Sequence, residues 1–461
     1  MNSFWNENTD CKEYPKLEKD IDTDICIIGG GITGISIAYQ LLNKGFDITI
    51  LEKDRLCSCT SGGNTGKITS QHGLIYKYLC DSNGIEFAQK YYKANEKAKE
   101  NIKKIIDKEK IDCDLEQKNA YVFTESEKEL QKINWEVEAT KMLDIKSQFV
   151  DKLEIPIDIC GAIKFENQYQ FNPVKYVQGL ANCITKEGMK IYEKSKVSEI
   201  IQDNGKYNII TKDGLVRAKY LVIATRYPII KFPGYYFIKM YQSTSYSLIV
   251  DTQTEINFDG YYINSETPTL SFRTVQNGDK RLLQVVGYDY KTGTEIVGNP
   301  FEYLEARVKN MYPNSKVLKS WTAEDCISLD KIPYIGDFSD MMENCYVATG
   351  FNKWGITSSN IAANIITDKI LERDNEYQEI FDSSRLGIIK NKEEMINMIK
   401  EAGEGIILER IKGKPTPTCT HLGCKLSWNP LEEIWECACH GSKFSKRGFV
   451  IEGPALKDLE E

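Results

Sequence analysis

The sequence predicts an α/β protein in two unequal parts. Residues 1–375 read as parallel strands and helices interleaved with an antiparallel sheet, residues 376–400 as a linker, and residues 401–461 as a small all-β module. Three observations carry this. An apolar, β-rich run near the N-terminus feeds a glycine-rich turn and then a helix. Two further apolar strands ending in small residues recur far along the chain, with a tyrosine-rich β stretch between them. The C-terminal segment gathers two of the chain's three histidines and its last four cysteines.

The N-terminal unit is the most regular. Residues 23–29, Thr-Asp-Ile-Cys-Ile-Ile-Gly, have the continuous apolar character of a central parallel strand. They lead into Gly29-Gly30-Gly31-Ile32-Thr33-Gly34, a helix running to Leu42, and a second strand at 47–51 that ends in Glu52, 18 positions after Gly34. In such a βαβ unit Gly29 permits the tight turn, Gly31 admits a pyrophosphate to the backbone, and Gly34 lets helix and strand pack closely. Glu52 then accepts from a ribose bearing a free 2′-hydroxyl. FAD and NAD carry that hydroxyl; NADP does not.

Residues 86–109 and 125–143 read as long helices, and 172–186 as a helix entered through Asn-Pro. Residues 190–225 hold short strands with turns at Asp203-Asn204-Gly205 and Asp213-Gly214. Residues 219–225 and 344–350 are apolar strands, the second followed by Lys353-Trp354-Gly355-Ile-Thr357 and a helix to about 371. The β-rich stretch 235–293 supplies the antiparallel sheet. The chain shows no internal repeat and no low-complexity tract.

Near the C-terminus, Cys419-Thr-His421-Leu-Gly-Cys424 and Cys437-Ala-Cys439-His440-Gly-Ser each offer one thiolate and one imidazole to a metal. A [2Fe-2S] centre with two sulfur and two imidazole ligands loses negative charge, and its potential rises to roughly −150 to +300 mV. Two Cys and two His also suit tetrahedral zinc, but zinc gives no reason for the second cysteine pair or for the flanking His-Leu-Gly and His-Gly-Ser.

The pattern C-x-H-x15-C-x-x-H resembles the Rieske signature. The resemblance implies that Cys419 and Cys437 bind one iron, His421 and His440 the other, and that Cys424 and Cys439 form the disulfide between the two loops; in reducing surroundings a free thiol pair is the alternative. Only residues 404–412 precede Cys419 where Rieske domains usually have several strands, which puts the shielding of the cluster in question.

Over about residues 20–375 the glycine motif, the strands above and Cys326-Ile-Ser-Leu-Asp330-Lys-Ile-Pro333-Tyr-Ile-Gly336 resemble the FAD-dependent glycine/D-amino-acid oxidase (DAO) family. The implied fold is a FAD-binding Rossmann-like domain (about 20–80, 172–230 and 320–375) with an antiparallel β-sheet substrate domain (about 81–171 and 231–319), plus the Rieske domain. Val197 would then back the adenine, Gly350 and Gly355 would flank the flavin, and the helix near Thr357 would aim its positive end at the flavin pyrimidine. Ala323 stands where covalent members of the family carry a cysteine, so FAD is expected to be non-covalent and Cys326 a core thiol. As a whole the chain is similar to a bacterial subgroup in which a DAO-like module precedes a Rieske domain.

The catalytic candidates are His72, as a base or polar contact or else a satisfied core histidine; Lys353, as a flavin-adjacent lysine unless only its backbone matters; and Arg273, as a clamp for a substrate carboxylate or else half of a surface ion pair. The resulting reading is an oxidoreductase that takes a hydride from an amine, amino acid or similar donor and passes electrons between flavin and cluster. The alternatives are direct reoxidation by dioxygen with the cluster as sensor or staple, and a non-enzymatic redox-responsive module. An oxygenase iron site with two further histidines and a carboxylate is excluded, since only His72 remains.

Composition agrees with a globular protein of more than one domain: 461 residues, 41% hydrophobic and 27% charged. A net charge of −8 argues against nucleic acid as a partner. The expected partners are a small donor and an unidentified electron acceptor or donor protein. No transmembrane segment is expected. The ten cysteines outside the cluster segment, scattered through apolar runs, suit reduced thiols and a cytoplasmic location, with only Cys57 and Cys59 near the expected flavin loop.

Overall fold

The structure, a computed structural model, describes residues 3–385 and 417–459; the expected linker beyond 385 and the 404–412 stretch lie outside the described residues. Ile21–Ile28 forms the centre of an eight-stranded sheet. It pairs in parallel with Ile48–Leu51 on one side and Leu215–Ile223 on the other. Ile25 stands opposite both Ile48 and Tyr220. Lys190–Tyr192 and Cys345–Thr349 extend the parallel order outward, and Tyr334–Asp337 closes one edge antiparallel. The inner strands are buried on both faces, which is why they read as continuous apolar runs. Helices Ile32–Gln40 and Gly355–Ile370 pack against each other over this sheet. Their N-termini and the strand ends they follow open on one crevice, the usual ligand position of a doubly wound sheet.

The second sheet has nine strands. Met240–Asp251, Gly260–Asn264, Leu270–Asn277 and Lys280–Lys291 make up the expected tyrosine-rich part. Glu116–Thr124 and Gly161–Gln170 join from the first half of the chain. The pairing is antiparallel except where Gly260–Asn264 runs alongside Glu116–Thr124. Lys316–Ser328 pairs along almost the whole of Met240–Asp251 and so belongs to this sheet as an edge strand, only its last residues reaching the crevice.

Helix Pro173–Lys186 starts as expected. Asn172 accepts from the N–H groups of Val174 and Lys175, and Pro173 sits where no N–H is needed. The helix expected from 125 begins only at Leu130, after a turn. Packing on the larger module continues past 375: Phe381 is fully buried and Arg385 holds Asp330 at 2.7 Å, so residues 376–385, expected in the linker, pack with the larger module.

The C-terminal module is a four-stranded antiparallel sheet, Leu426–Asn429, Ile434–Cys437, Lys443–Ser445 and Val450–Glu452. Its own core is small: Cys419, Cys424, Leu426, Cys437, Phe444 and Ala455. So little apolar burial needs a staple or a neighbour, and this module has both.

Candidate cofactor cavity and metal centre

The crevice is a cavity lined by Gly29, Gly31, Glu52 and Val197 together with Gly350, Gly355 and Thr357. Gly29 has φ +117°, which favours glycine. At Gly34 a Cβ would stand 2.0 Å from the carbonyl oxygen of Gly29, so this residue sets the closeness of helix to strand rather than touching a ligand. Gly31 caps helix Ile32–Gln40 without a side-chain hydrogen bond, leaving N–H groups of the first turn directed at the cavity, although Ile32 N–H finds Ser61 Oγ at 3.0 Å. Glu52 is buried, and its carboxylate accepts from Gly30 N–H at 2.7 Å and Asp54 N–H at 3.0 Å. Burial nevertheless pushes its carboxyl up.

Two further cavity residues have buried polar atoms without partners among the described residues: Nε and Nη1 of Arg226, and the hydroxyl of Tyr227. Such orphaned donors suit a ligand rich in acceptors. The fit to a dinucleotide therefore rests on the glycine turn, the uncapped helix end, the buried acid and these donors together.

The expected catalytic residues divide. Lys353 lines the cavity and is held by Asp289 at 2.7 Å, the lysine in turn keeping the aspartate's carboxyl low against the effect of burial. His72 does not line the cavity. Its ring stacks on Trp354 with centroids 4.7 Å apart; Nε2 faces Thr69 O at 3.0 Å and Thr357 Oγ1 at 3.2 Å. A carbonyl only accepts, so Nε2 carries the proton and Nδ1 accepts from Tyr91 O–H at 2.7 Å. No lone pair is left for a base, and burial lowers the ring's pKa to about 3. His72 is a satisfied histidine one layer behind Trp354 and Thr357.

Arg273 corrects both readings made of it. It is neither a carboxylate clamp nor a surface residue: it is buried, bonded to the carbonyls of Thr65, Phe171 and Thr274, and stacked on Trp5 at 5.3 Å. It ties the loop after the first βαβ unit to the sheet. Arg273→Met takes this donor from the carbonyls of Thr65 and Phe171, each at a cost of about 1–3 kcal/mol, while Thr274 O keeps Gln170 Nε2 at 3.1 Å. The expected result is a clear fall in thermal midpoint with the cluster's EPR signal retained.

Sequence reasoning passed over Lys67, Arg226, Tyr227 and Asp325, all of which line the cavity. Lys67 is buried with the Ser271 hydroxyl as partner and its ammonium 5.3 Å from the centre of the Tyr261 ring, and burial lowers its pKa to about 7. Its only sequence signal was its place two residues after Thr65 in a small-residue loop. Cys57, Cys59 and Cys326 also line the cavity; burial keeps all three thiols protonated.

In the second module the two ligand loops meet. Nδ1 of His421 and Nδ1 of His440 lie 3.3 Å apart with the rings nearly perpendicular. That is close to the edge of a tetrahedron with metal–imidazole bonds of about 2.0–2.1 Å. Both rings are held neutral, mainly by burial, with pKa values lowered to about 3 and about 4. Cys419 and Cys437 are buried free thiols hydrogen-bonded to each other, which pulls the Cys419 thiol down to about 7 and pushes Cys437 up. Backbone N–H groups of His421 and Leu422 also point at the Cys419 sulfur.

Cys424 and Cys439 form a disulfide with Cα atoms 6.5 Å apart. Ligand atoms of Cys424, Cys437, Cys439 and His440 also lie within 4.8 Å of one another, but disulfide sulfurs offer no thiolate. The donor set that remains, two thiols and two neutral imidazoles, fits a Rieske [2Fe-2S] centre.

The two modules meet over these histidines, which are only 5% exposed. Tyr227 presents its ring edgewise to both, with centroids at 6.3 and 6.4 Å, and Phe237 packs edgewise on His440 at 5.9 Å. The Phe237 carbonyl accepts a ring N–H of His440, an outer-shell partner of the kind that fixes a ligand's tautomer. Gln242 donates to His440 O and Lys231 to His421 O, both at 2.5 Å. Beside them lies a buried ion cluster. Lys443 sits 2.7 Å from Glu324 and 3.3 Å from Glu436, and Arg226 binds Glu324 at 2.6 Å and Glu452 at 3.2 Å. The shielding that the short C-terminal module seemed to lack comes from the larger module.

Comparison with known proteins agrees with this division. The family described as DAO, FAD dependent oxidoreductase, matches residues 24–369, and the Rieske [2Fe-2S] domain matches 410–461. The putative Rieske 2Fe-2S iron-sulfur protein YhfW of Bacillus subtilis (strain 168) is 32% identical, the match covering 100% of this chain and 97% of that protein. Gamma-glutamylputrescine oxidoreductase of Escherichia coli (strain K12) is 25% identical over 80% of this chain and 88% of its own. Glycine oxidase from Geobacillus kaustophilus superposes with a TM-score of 0.67 at 18% identity, covering 79% of this chain and 99% of that one, a likeness of fold. The chain belongs to the FAD-dependent oxidoreductases of the DAO family and carries a C-terminal Rieske [2Fe-2S] domain.

Proposed function

We propose that the chain oxidises the C–N bond of a small amine or amino acid, FAD accepting the hydride and the Rieske cluster exchanging the flavin's electrons one at a time with an outside partner. The single observation that carries this is the burial of both cluster histidines against Tyr227, a residue of the FAD cavity wall. A staple or sensor has no need to lay its ligand side on the cofactor cavity. Relatives named for oxidising gamma-glutamylputrescine and glycine support the donor class.

The residues divide the work. The glycine turn and the uncapped end of Ile32–Gln40 receive the diphosphate, with Glu52 and Val197 towards the adenosine. Helix Gly355–Ile370, capped at Trp354 without a side-chain hydrogen bond, directs a second positive end into the cavity. His72 positions Thr357 and Trp354 there, and Lys353, pinned by Asp289, adds a cation near the donor. In the ligand loops, Cys419 and Cys437 hold one iron and His421 and His440 the other. Ten unpaired cysteines outside the cluster segment support a reducing compartment, the cytoplasm.

The test is anaerobic. Small amines and amino acids are screened for bleaching of the bound flavin, and each bleached sample is frozen for EPR. Bleaching followed by the signal of a reduced Rieske cluster is expected. Bleaching with the cluster left oxidised would overturn the relay and favour direct reoxidation by dioxygen, with the cluster as a staple.

A further inference from the structure

The cavity of the FAD module is walled in part by the Rieske module. Residues 450–456 line the same cavity as Gly29, Glu52 and Thr357. This segment is gripped from the FAD side at several points. Lys53 Nζ donates to Ile451 O at 3.4 Å and Lys196 Nζ to Leu456 O at 3.5 Å. Gln242 donates to Gly453 O at 3.1 Å. The half-buried Glu452 carboxylate takes Arg226 at 3.2 Å, Lys53 at 3.6 Å and the Cys59 thiol at 3.7 Å.

From its own side the segment hangs on a ligand loop. Ala455 N–H donates to Ser442 Oγ at 3.0 Å, and the Ser442 carbonyl accepts from Cys437 N–H at 2.9 Å. A single residue, Ser442, thus joins an iron ligand to the cavity wall.

We infer that FAD is held in a site built by both modules, and that FAD binding and cluster assembly strengthen each other through the 450–456 wall. The inference rests on the two-cofactor reading above. The physical ground is linkage: the cluster fixes the loop Cys437–Ser442, the loop fixes the wall, and a fixed wall lowers the ordering cost of binding FAD. Coupling of this kind is reciprocal and typically amounts to roughly 5- to 150-fold in affinity.

Gly293 allows a test that acts from the cluster side and touches none of the residues lining the FAD cavity. It belongs to the larger module, has φ +84°, and a Cβ there would stand 2.3 Å from Ala438 N and 2.6 Å from Cys437 C, backbone that cannot fold away. Gly293→Val should therefore separate the modules on the cluster side, pressing on the backbone of the ligand Cys437 while leaving the glycine turn and the 450–456 wall residues themselves unaltered. Full-length wild type and variant, each with its cluster quantified by EPR, are stripped of flavin and titrated with FAD by fluorescence quenching. A Kd weakened roughly 5- to 150-fold in the variant is expected.

In wild type alone, added FAD should slow amide exchange in residues 450–456, and depletion of the cluster should weaken FAD binding. An unchanged Kd together with unprotected 450–456 amides would overturn this inference while leaving the two-cofactor reading intact. A wild-type chain that takes up no FAD would overturn both.

Discussion

Gly34→Val is expected to give a protein that purifies without FAD. The added Cβ would lie 2.0 Å from Gly29 O, 3.2 Å from Gly29 C and 3.1 Å from Ile27 Cγ2, two of them backbone atoms of the turn itself. Helix Ile32–Gln40 then has to lift away from strand Ile21–Ile28, and its N-terminal N–H groups leave the position in which they meet a diphosphate. Overpacking of this kind costs about 1–3 kcal/mol. At about 1.4 kcal/mol per tenfold, that strain alone weakens binding by roughly one to two orders of magnitude before the lost N–H contacts are counted. FAD titration of the flavin-stripped chain measures the loss directly.

Gly45→Asn is the matched control. Gly45 also has a positive φ, +83°, but nothing lies within 4 Å of a Cβ built there, and asparagine tolerates that conformation. It should bind FAD as wild type does. Equal FAD affinity in Gly34→Val and wild type would show that the turn yields to a side chain, and the close-packing role assigned to Gly34 would fall.

What was legible in the sequence is what one short segment can encode. The glycine spacing, the following helix and Glu52 specify a local shape, and the structure builds that shape with Gly29 at φ +117° and Gly34 against Gly29 O. The two metal loops are likewise self-contained, so the spacing of Cys419, His421, Cys437 and His440 was enough to carry the resemblance to the Rieske signature. The sheet content of 235–293 was legible because turns punctuate it.

What escaped is set by distant partners. Burial of Arg273 depends on carbonyls at Thr65 and Phe171, and the saturation of His72 depends on Tyr91 and Thr357; neither partner is written beside the residue. The docking of the modules escaped for the same reason. Gly441 packs so closely on Gln242 that a Cβ would fall 2.5 Å from that side chain's Cβ, and Gly293 meets Ala438 as tightly. These pairs are far apart in the chain, and each glycine alone reads as a turn.

Lys443 shows how misleading such residues are in isolation, and its replacement should have the second large effect. On the small Rieske sheet a lysine reads as a solvated surface charge, yet Lys443 is 3% exposed and faces Glu324 and Glu436, themselves 3% and 1% exposed. Lys443→Met preserves much of the aliphatic volume and removes the one cation shared by these carboxylates. Glu324 keeps Arg226, and Glu436 keeps Gly293 N–H and the Tyr290 hydroxyl, so neither is wholly abandoned. Even so, stripping one partner from a buried ionic group costs about 3–5 kcal/mol. Because the carboxylates come from both modules, the loss should appear first at their junction. In a denaturant titration the cluster's visible absorption should disappear at lower concentration than in wild type, ahead of the loss of secondary structure in the larger module. The compensated variant Lys443→Met/Glu324→Gln/Glu436→Gln leaves only the partly exposed Glu432, 3.6 Å from the lysine in the wild type, without that cation, and it should recover most of the lost stability because the two most buried carboxylates are then neutral. A triple variant as unstable as Lys443→Met would mean that the lysine acts through packing, and the ionic account of the junction would have to be abandoned.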